Sequence, residues 1–457
     1  MFGLRGSSRS RVALAGALGV GLVFSLAACG GDKDKDSGST DTAAAAGIDC
    51  SQFSSFGDLK GKTVSIYTGI VTPEDTPHKK SYEPFEKCTG VTVKYEGDKS
   101  FETQVLVRAK AGNPPDVAFV PQPGLLQQLV ATGKAVEAPK EVSDNVDKWW
   151  GKDWKAYGTV DGKFYAAPLG ANVKSFVWYS PKEFADKGYT VPTTLDDLKA
   201  LSDKIAATGA KPWCAGIGSG DATGWPATDW VEDFVLRTAG AETYDKWVKH
   251  EIPFNSPEIT AAFDAVGGYL KNDKYVNGGL GDVKSVASTT FQDAGLQILE
   301  GNCSLHRQAS FYAANFPKGT KIGKDGDIFA FYLPGKDAST KPVLGGGEFT
   351  LAFADRPEVK AFQYYLSTDT WANIKAKAST GWVSANKGLQ VSNLSSEIDR
   401  LSAETLQDPN AQFRFDGSDM MPAAVGSNAF WKQATAWITG QDTTTTVNNI
   451  EAAWPKK

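Results

Sequence analysis

Apolar positions recur along this chain in two alternating rhythms. Residues 63–67 (Thr-Val-Ser-Ile-Tyr) alternate as a strand that stops at Gly69, and residues 91–95 alternate again after helical spacing around 79–88. Phe101, Val105 and Ala109 share a helical face; Asn113-Pro114-Pro115 ends that helix, and residues 116–120 read as a buried strand, with Asp116 closing its turn. Another helix starts at Pro123. The second half keeps the style. Thr194 is placed to cap a helix carrying Leu195, Leu198, Leu201 and Ile205 on one face, Gly209 ends it, and residues 213–217 form a strand. Helices follow at 228–237, stopped by Gly240, and around Ile259, Phe263, Val266 and Leu270. Residues 291–299 read as a helix leading into a strand at 303–306, and further helices fall at 357–366, 398–406 and 429–438. Such alternation predicts an α/β layer architecture with helices packed on sheets. No internal repeat interrupts it.

The N-terminus breaks the rhythm. Arg5, Arg9 and Arg11 precede an apolar run at 12–26, shorter than the roughly 20 residues that span a bilayer and ordered like a secretory signal. Leu26-Ala27-Ala28-Cys29 resembles a bacterial lipobox, which implies cleavage before Cys29 and a diacylglycerol on its thiol. Residues 1–28 are therefore expected to be a signal peptide. Residues 29–47, rich in Gly, Asp, Lys, Ser, Thr and Ala, are expected to form a flexible tether. Cleavage removes three arginines and no acid, taking the formal net charge from −5 to −8. An acidic exported chain is a poor partner for nucleic acid or anionic lipid, which need clustered positive charge. Nothing after Cys29 is long and apolar enough to cross a membrane, so the membrane is met only through the anchor. Residues 48–457 are too many for one core, and two lobes are expected.

Little in the sequence points to catalysis. His78, His250 and His306 lack a second histidine at metal-ligand spacing, and no Gly-x-Ser-x-Gly elbow occurs. Residues 57–63 look like a phosphate loop but are one residue short and precede a strand rather than follow one. No nucleophile, metal or cofactor is expected. A carboxylate pair for glycoside cleavage stays open among the abundant acids.

Three stretches carry a family resemblance. They are Gly112-Asn113-Pro114-Pro115-Asp116-Val117-Ala118 with Pro123-Gly124-Leu125, then residues 161–170 (Asp-Gly-Lys-Phe-Tyr-Ala-Ala-Pro-Leu-Gly), then Val177-Trp178-Tyr179-Ser180. In this order, from about Lys62 to the C-terminus, the chain resembles the extracellular sugar-binding lipoproteins of ATP-binding-cassette importers, relatives of maltose-binding protein. Residues 220–230, 304–311 and 413–422 look like the α-glucoside-binding branch, whose members take sucrose-, maltose- or trehalose-like sugars. The resemblance implies a type II periplasmic-binding-protein fold, α/β in class, with a hinge and an interlobe cleft. The expected lobes are residues 48–168 with 350–390 and residues 171–342 with 391–457. It further implies a monomer on the extracytoplasmic face of the cell membrane, a mono- or oligosaccharide ligand, and permease subunits as partners. Receptors for a non-glucose sugar or a polyol are alternatives, as is a secreted glycoside hydrolase.

Besides Cys29 there are Cys50, Cys88, Cys214 and Cys303; outside the cytoplasm an even number favours two disulfides, with three possible pairings. Cys50–Cys88 and Cys214–Cys303 are expected, because each stays within one stretch of chain and a bridge across lobes would resist hinge motion.

A pyranose has an apolar C–H face and a hydroxyl rim, so its site needs flat aromatic rings beside groups that donate and accept together. Thirteen tryptophans are many for this length, and several sit beside Gly, Pro or Asp in expected loops. Trp225, with Asp221 and Thr223, forms a Gly-flanked loop after a strand, the alternative being a helix entry capped by Thr228. Trp382 in Gly381-Trp382-Val383-Ser384 is a second ring candidate. Relatives place a stacking tryptophan at the position of Trp431 and an aromatic at that of Phe311; core packing is the alternative for both. Gly346, in Gly345-Gly346-Gly347-Glu348, lets backbone approach a ligand or simply serves a crossing, and Glu348 follows it. Arg414, Asp416 and Asp419 are candidates for hydroxyls or for an ion-pair network. Tyr67, Gln122 and Lys174, at strand ends and after the first crossing, complete the set.

Overall fold

The computed structural model describes residues 47–408 and 410–456; the signal and lipobox at 1–29 and nearly all of the tether lie outside them. Five strands form a first sheet in the order Thr92–Gly97, Thr63–Thr68, Val117–Val120, Phe349–Ala352, Ala166–Pro168. The first three run parallel, and Phe349–Ala352 runs antiparallel to both of its neighbours. Helices Asp75–Thr89, Phe101–Lys110 and Pro123–Ala131 connect or follow these strands. Strand alternation divides the core cleanly. Val117 and Phe119 pack with Phe85, Phe362 and Tyr365 on one face, while Ala118 and Val120 pack with Phe101, Val105 and Leu126 on the other.

A second sheet runs Val276–Asn277, Trp213–Cys214, Leu305–Arg307, Phe176–Tyr179, Phe329–Tyr332. Its core is the largest in the molecule, joining Trp178, Trp213, Trp230, Trp247 and Trp437 to aliphatic faces of the surrounding helices. Helix Leu195–Ala206 starts where the sequence predicts. Thr194 accepts from the Asp197 amide and Asp197 reaches back to the Thr194 amide, a full capping box. Both expected disulfides are present, Cys50–Cys88 and Cys214–Cys303, each beside one sheet.

Between the two sheets the chain crosses side by side. Lys341–Gly346 runs parallel to Ala411–Phe415 and antiparallel to Asn172–Val173, pairing Gly346 with Asn172. A Cβ on Gly347 would collide with the Gly170 carbonyl, so glycine is required where the two crossings touch. These are two α/β lobes on separate sheets. No helix among the described residues is long and apolar enough to cross a membrane.

Candidate functional site

Parallel strands leave their carboxyl ends at one edge of a sheet, and the loops leaving that edge are where α/β proteins bind ligands. In the first sheet those loops carry Gly69, Glu74 and Gln122, and helix Phe101–Lys110 adds Glu102 in its first turn. From the second lobe come Lys174, Ala222, Trp225, Phe291 and Phe311. The crossings contribute Asn172, Gly346 and Glu348, and later segments bring Lys375, Trp382, Asp419 and Trp431. Together they enclose a cavity of about 210 Å³.

Its aromatic walls are backed by other rings. Trp225 meets Phe291 edge-on at 4.9 Å and lies 6.2 Å from Phe311; Trp382 meets the buried Trp371 edge-on at 5.5 Å. Each wall has a lysine near its ring: Lys174 Nζ is 5.2 Å from the Trp225 centroid and Lys375 Nζ is 5.0 Å from that of Trp382. Trp431 is 97 % buried in backbone contact with Gly224, which precedes the helix starting at Trp225.

Beneath one wall lies a buried charge network. Lys174 donates to Asp416 and to Asp229 at 3.0 Å, with Asp419 at 4.0 Å. Arg307 reaches Asp229 and Asp233, and Arg237 also pairs with Asp233. Asp229, Glu232 and Asp416 offer three carboxylates close enough for a metal ion, but Lys174 already supplies the positive charge to Asp229 and Asp416. Burial raises the pKa of Asp229 to about 7 and raises that of Asp419 as well, whereas Lys174 keeps Asp416 low. At the other wall burial pushes Glu74 up to about 7 and Lys375 down to about 7, and holds His78 neutral.

Several residues lining the cavity carry buried polar atoms with no partner among the described residues. Gln122 Oε1, Asn172 Oδ1 and Gln292 Oε1 are acceptors, and the indole N–H groups of Trp382 and Trp431 are donors. Leaving such groups unpaired costs about 1–3 kcal/mol each, so they are available to a ligand's polar groups.

Of the residues singled out from sequence, Gln122, Lys174, Trp225, Phe311, Gly346, Glu348, Trp382, Asp419 and Trp431 line this cavity. Tyr67, Asp221, Thr223, Arg414 and Asp416 do not. Tyr67 takes the core-facing side of its strand, packs on Phe101 and donates its hydroxyl to Asp98 at 2.7 Å. Thr223 closes a turn, donating to the Gly220 carbonyl at 2.7 Å, and Asp221 is exposed, so their neighbours Ser219 and Ala222 line the cavity instead. Arg414 makes a two-pronged pair with Asp245. Asp416 lies behind Lys174, capping the turn to Asp419. The helix entry also moves: it begins at Trp225 with Pro226 in its first turn, and the Thr228 hydroxyl donates to the Trp225 carbonyl instead of capping.

Sequence reasoning missed Glu74, Glu102, Asn172, Gln292 and Lys375. Lys375 had a legible signal: it shares a helical face with Trp371 and Ala372, where a lysine is out of place unless it has a task.

The sequence pattern of the bacterial extracellular solute-binding protein family matches residues 62–368. The chain is 40% identical over 413 residues to the alpha-glucosides-binding periplasmic protein AglE of Rhizobium meliloti, covering 87% of this chain and 88% of the relative. It is 37% identical over 408 residues to the osmoprotective compounds-binding protein GgtB of Synechocystis, covering 88% and 94%. Among solved structures, the bacterial solute receptor AcbH superposes with a TM-score of 0.74 at 19% identity, covering 86% of this chain and 98% of that one. Maltose-bound MalE3 of T. maritima superposes at 0.68 and 16%, covering 86% and 98%. At these identities the two structures share the fold alone.

Proposed function

The chain belongs to the bacterial extracellular solute-binding proteins, and from that premise we propose that it captures an α-glucoside of the sucrose, maltose or trehalose kind for an ATP-driven importer. The observation that carries the reading is the pairing of aromatic walls with unpartnered donors and acceptors in one cleft. A hydroxyl both donates and accepts, so a sugar answers Gln122, Asn172 and Gln292 as acceptors and Trp382 and Trp431 as donors with a single kind of group. Its C–H face answers the rings. The likeness to AglE supports the α-glucoside class.

The lobes in this reading are residues 48–168 with 350–390 and residues 171–342 with 391–457, hinged at the crossings. Closure around the sugar gives the permease subunits the form they recognise. The protein works as a monomer held to the outer face of the membrane by a lipid on Cys29. No bond in the ligand is broken, so no catalytic residue is assigned. A second reading is a polyol or other osmoprotective compound, the likeness to GgtB supporting an osmoprotective solute.

Thermal-shift screening tests this, because a ligand bound only by the folded chain raises its midpoint. Maltose, trehalose or sucrose should raise the midpoint and be recovered intact after incubation. A shift with polyols alone would favour the second reading, and release of glucose would make the protein a hydrolase.

A further inference from the structure

The cavity is uneven in charge from end to end. Among the described residues lining it, Glu74, Glu102, Glu348 and Asp419 carry carboxylates. Glu74 and Glu348 share the field of Lys375, which is buried beside them. Asp419 has Lys174, which it shares with two other acids, and Glu102 takes its hydrogen bond from the neutral Gln122. Lys174 gives its ammonium to Asp416 and Asp229 and stands 4.0 Å from Asp419. The other cations of that network are engaged as well: Arg307 with Asp229 and Asp233, Arg237 with Asp233 and the carbonyls of Leu333, Pro334 and Pro342. Lys99 also lines this end, but it is exposed.

Glu102 and Asp419 converge through Gln122. Helix Pro123–Ala131 starts against residues 419–421, where a Cβ on Gly124 would sit 3.3 Å from the Asp419 carbonyl. The Gln122 amide hydrogen-bonds Glu102, and the charge of Glu102 helps Asp419 hold its proton. Independently of these acids, Gln122 Oε1 is unpartnered on a side chain only 4 % exposed that lines the same cavity. This end therefore presents two acids and an amide oxygen, and a cation among them draws the acids into their charged, accepting form.

We propose that the Glu102–Asp419–Gln122 end makes the protein selective for glycosides bearing a protonated amine, bound in preference to neutral isosteres and to anionic sugars. The inference rests on the glycoside reading above. A hydroxyl supplies one donor; an ammonium supplies three and no acceptor, matching the set of groups at this end. Bonds from a charged donor to carboxylates are roughly twice as strong as neutral ones, while a uronate or phosphate brings a negative charge to two acids whose own charging burial already opposes.

The test is calorimetric titration of the mature chain with maltose and trehalose, their mono-amino derivatives substituted at each carbon in turn, and the matching uronic acids. At least one amino derivative should bind about tenfold tighter than its neutral parent, the uronic acids at least about tenfold more weakly, and the amine-to-neutral ratio should fall toward one in Glu102→Gln or Asp419→Asn. If the parent sugars bind and no amino derivative surpasses them, the proposal fails and the glycoside reading stands. An amine preference that persists in both variants overturns the assignment to this end. Absence of binding by every parent and derivative overturns the glycoside reading itself.

Discussion

Burial against charge decides the behaviour of single residues in this cavity. Glu74 and Glu102 hold their protons up to about pH 7, against an ordinary value of 4.5, because burial desolvates them. Between those two values the folded chain binds more protons than the unfolded one, so their contribution to stability falls as pH rises from about 4.5 to about 7. Lys375, lowered from 10.5 to about 7, acts in the next window: there the folded chain binds fewer protons, and stability recovers as pH rises from about 7 to about 10.5. The ligand-free protein should therefore melt at a lower temperature at pH 7 than at pH 5, and Glu74→Gln should shrink that difference. A difference of the same size in the variant would show that Glu74 is not the group responsible. At this scale the sequence was only partly legible. Aromatic candidates in Gly- and Pro-flanked segments, Trp225 and Trp382, do line the cavity, because bulky rings beside flexible backbone have few other uses. Polar candidates divided: Asp416 and Asp419 are three residues apart, yet one faces Lys174 from behind and the other faces the cavity, a distinction set by tertiary packing.

Elements were more legible than side chains where local chemistry fixes their ends. Thr194 and Asp197 cap a helix whose boundaries follow from the sequence, and Gly69 and Pro115 bracket strands for equally local reasons. Helices Lys140–Trp149 and Asp369–Ala378 were not foreseen. The second of these puts Lys375 and Trp371 on one buried face, blurring the apolar stripe that periodicity detects. The entry to helix Trp225–Thr238 was set three residues late, since Pro226 signals its first turn and the side chain of Thr228 merely looks like a cap. That entry ties two parts of the site together. Gly224 has φ of 114°, and a Cβ there would overlap the Trp431 carbonyl. Gly224→Ala should therefore push Trp431 away from Trp225, destabilising the fold by more than about 1 kcal/mol in urea melts and weakening sugar binding together with it. Unchanged stability and affinity would mean that the two tryptophans are not held in place by this contact.

For the whole molecule, the α/β class follows from alternating periodicities, and the two-lobed arrangement from a length too great for one core. The sequence did not announce how the crossings close together. Pairing of Gly346 with Asn172 and the contact of Gly347 with Gly170 depend on segments more than 170 residues apart in the chain. Each disulfide stays beside its own sheet, leaving the crossings as the covalent route between lobes. The most direct measurement is a crystal structure of the mature chain with whichever of maltose, trehalose or sucrose stabilises it most. One intact sugar is expected between the lobes, its C–H face on an aromatic wall and its hydroxyls bonded to Gln122, Asn172, Trp382 or Trp431. A sugar seated elsewhere, or these groups left unpaired beside a bound sugar, would contradict it.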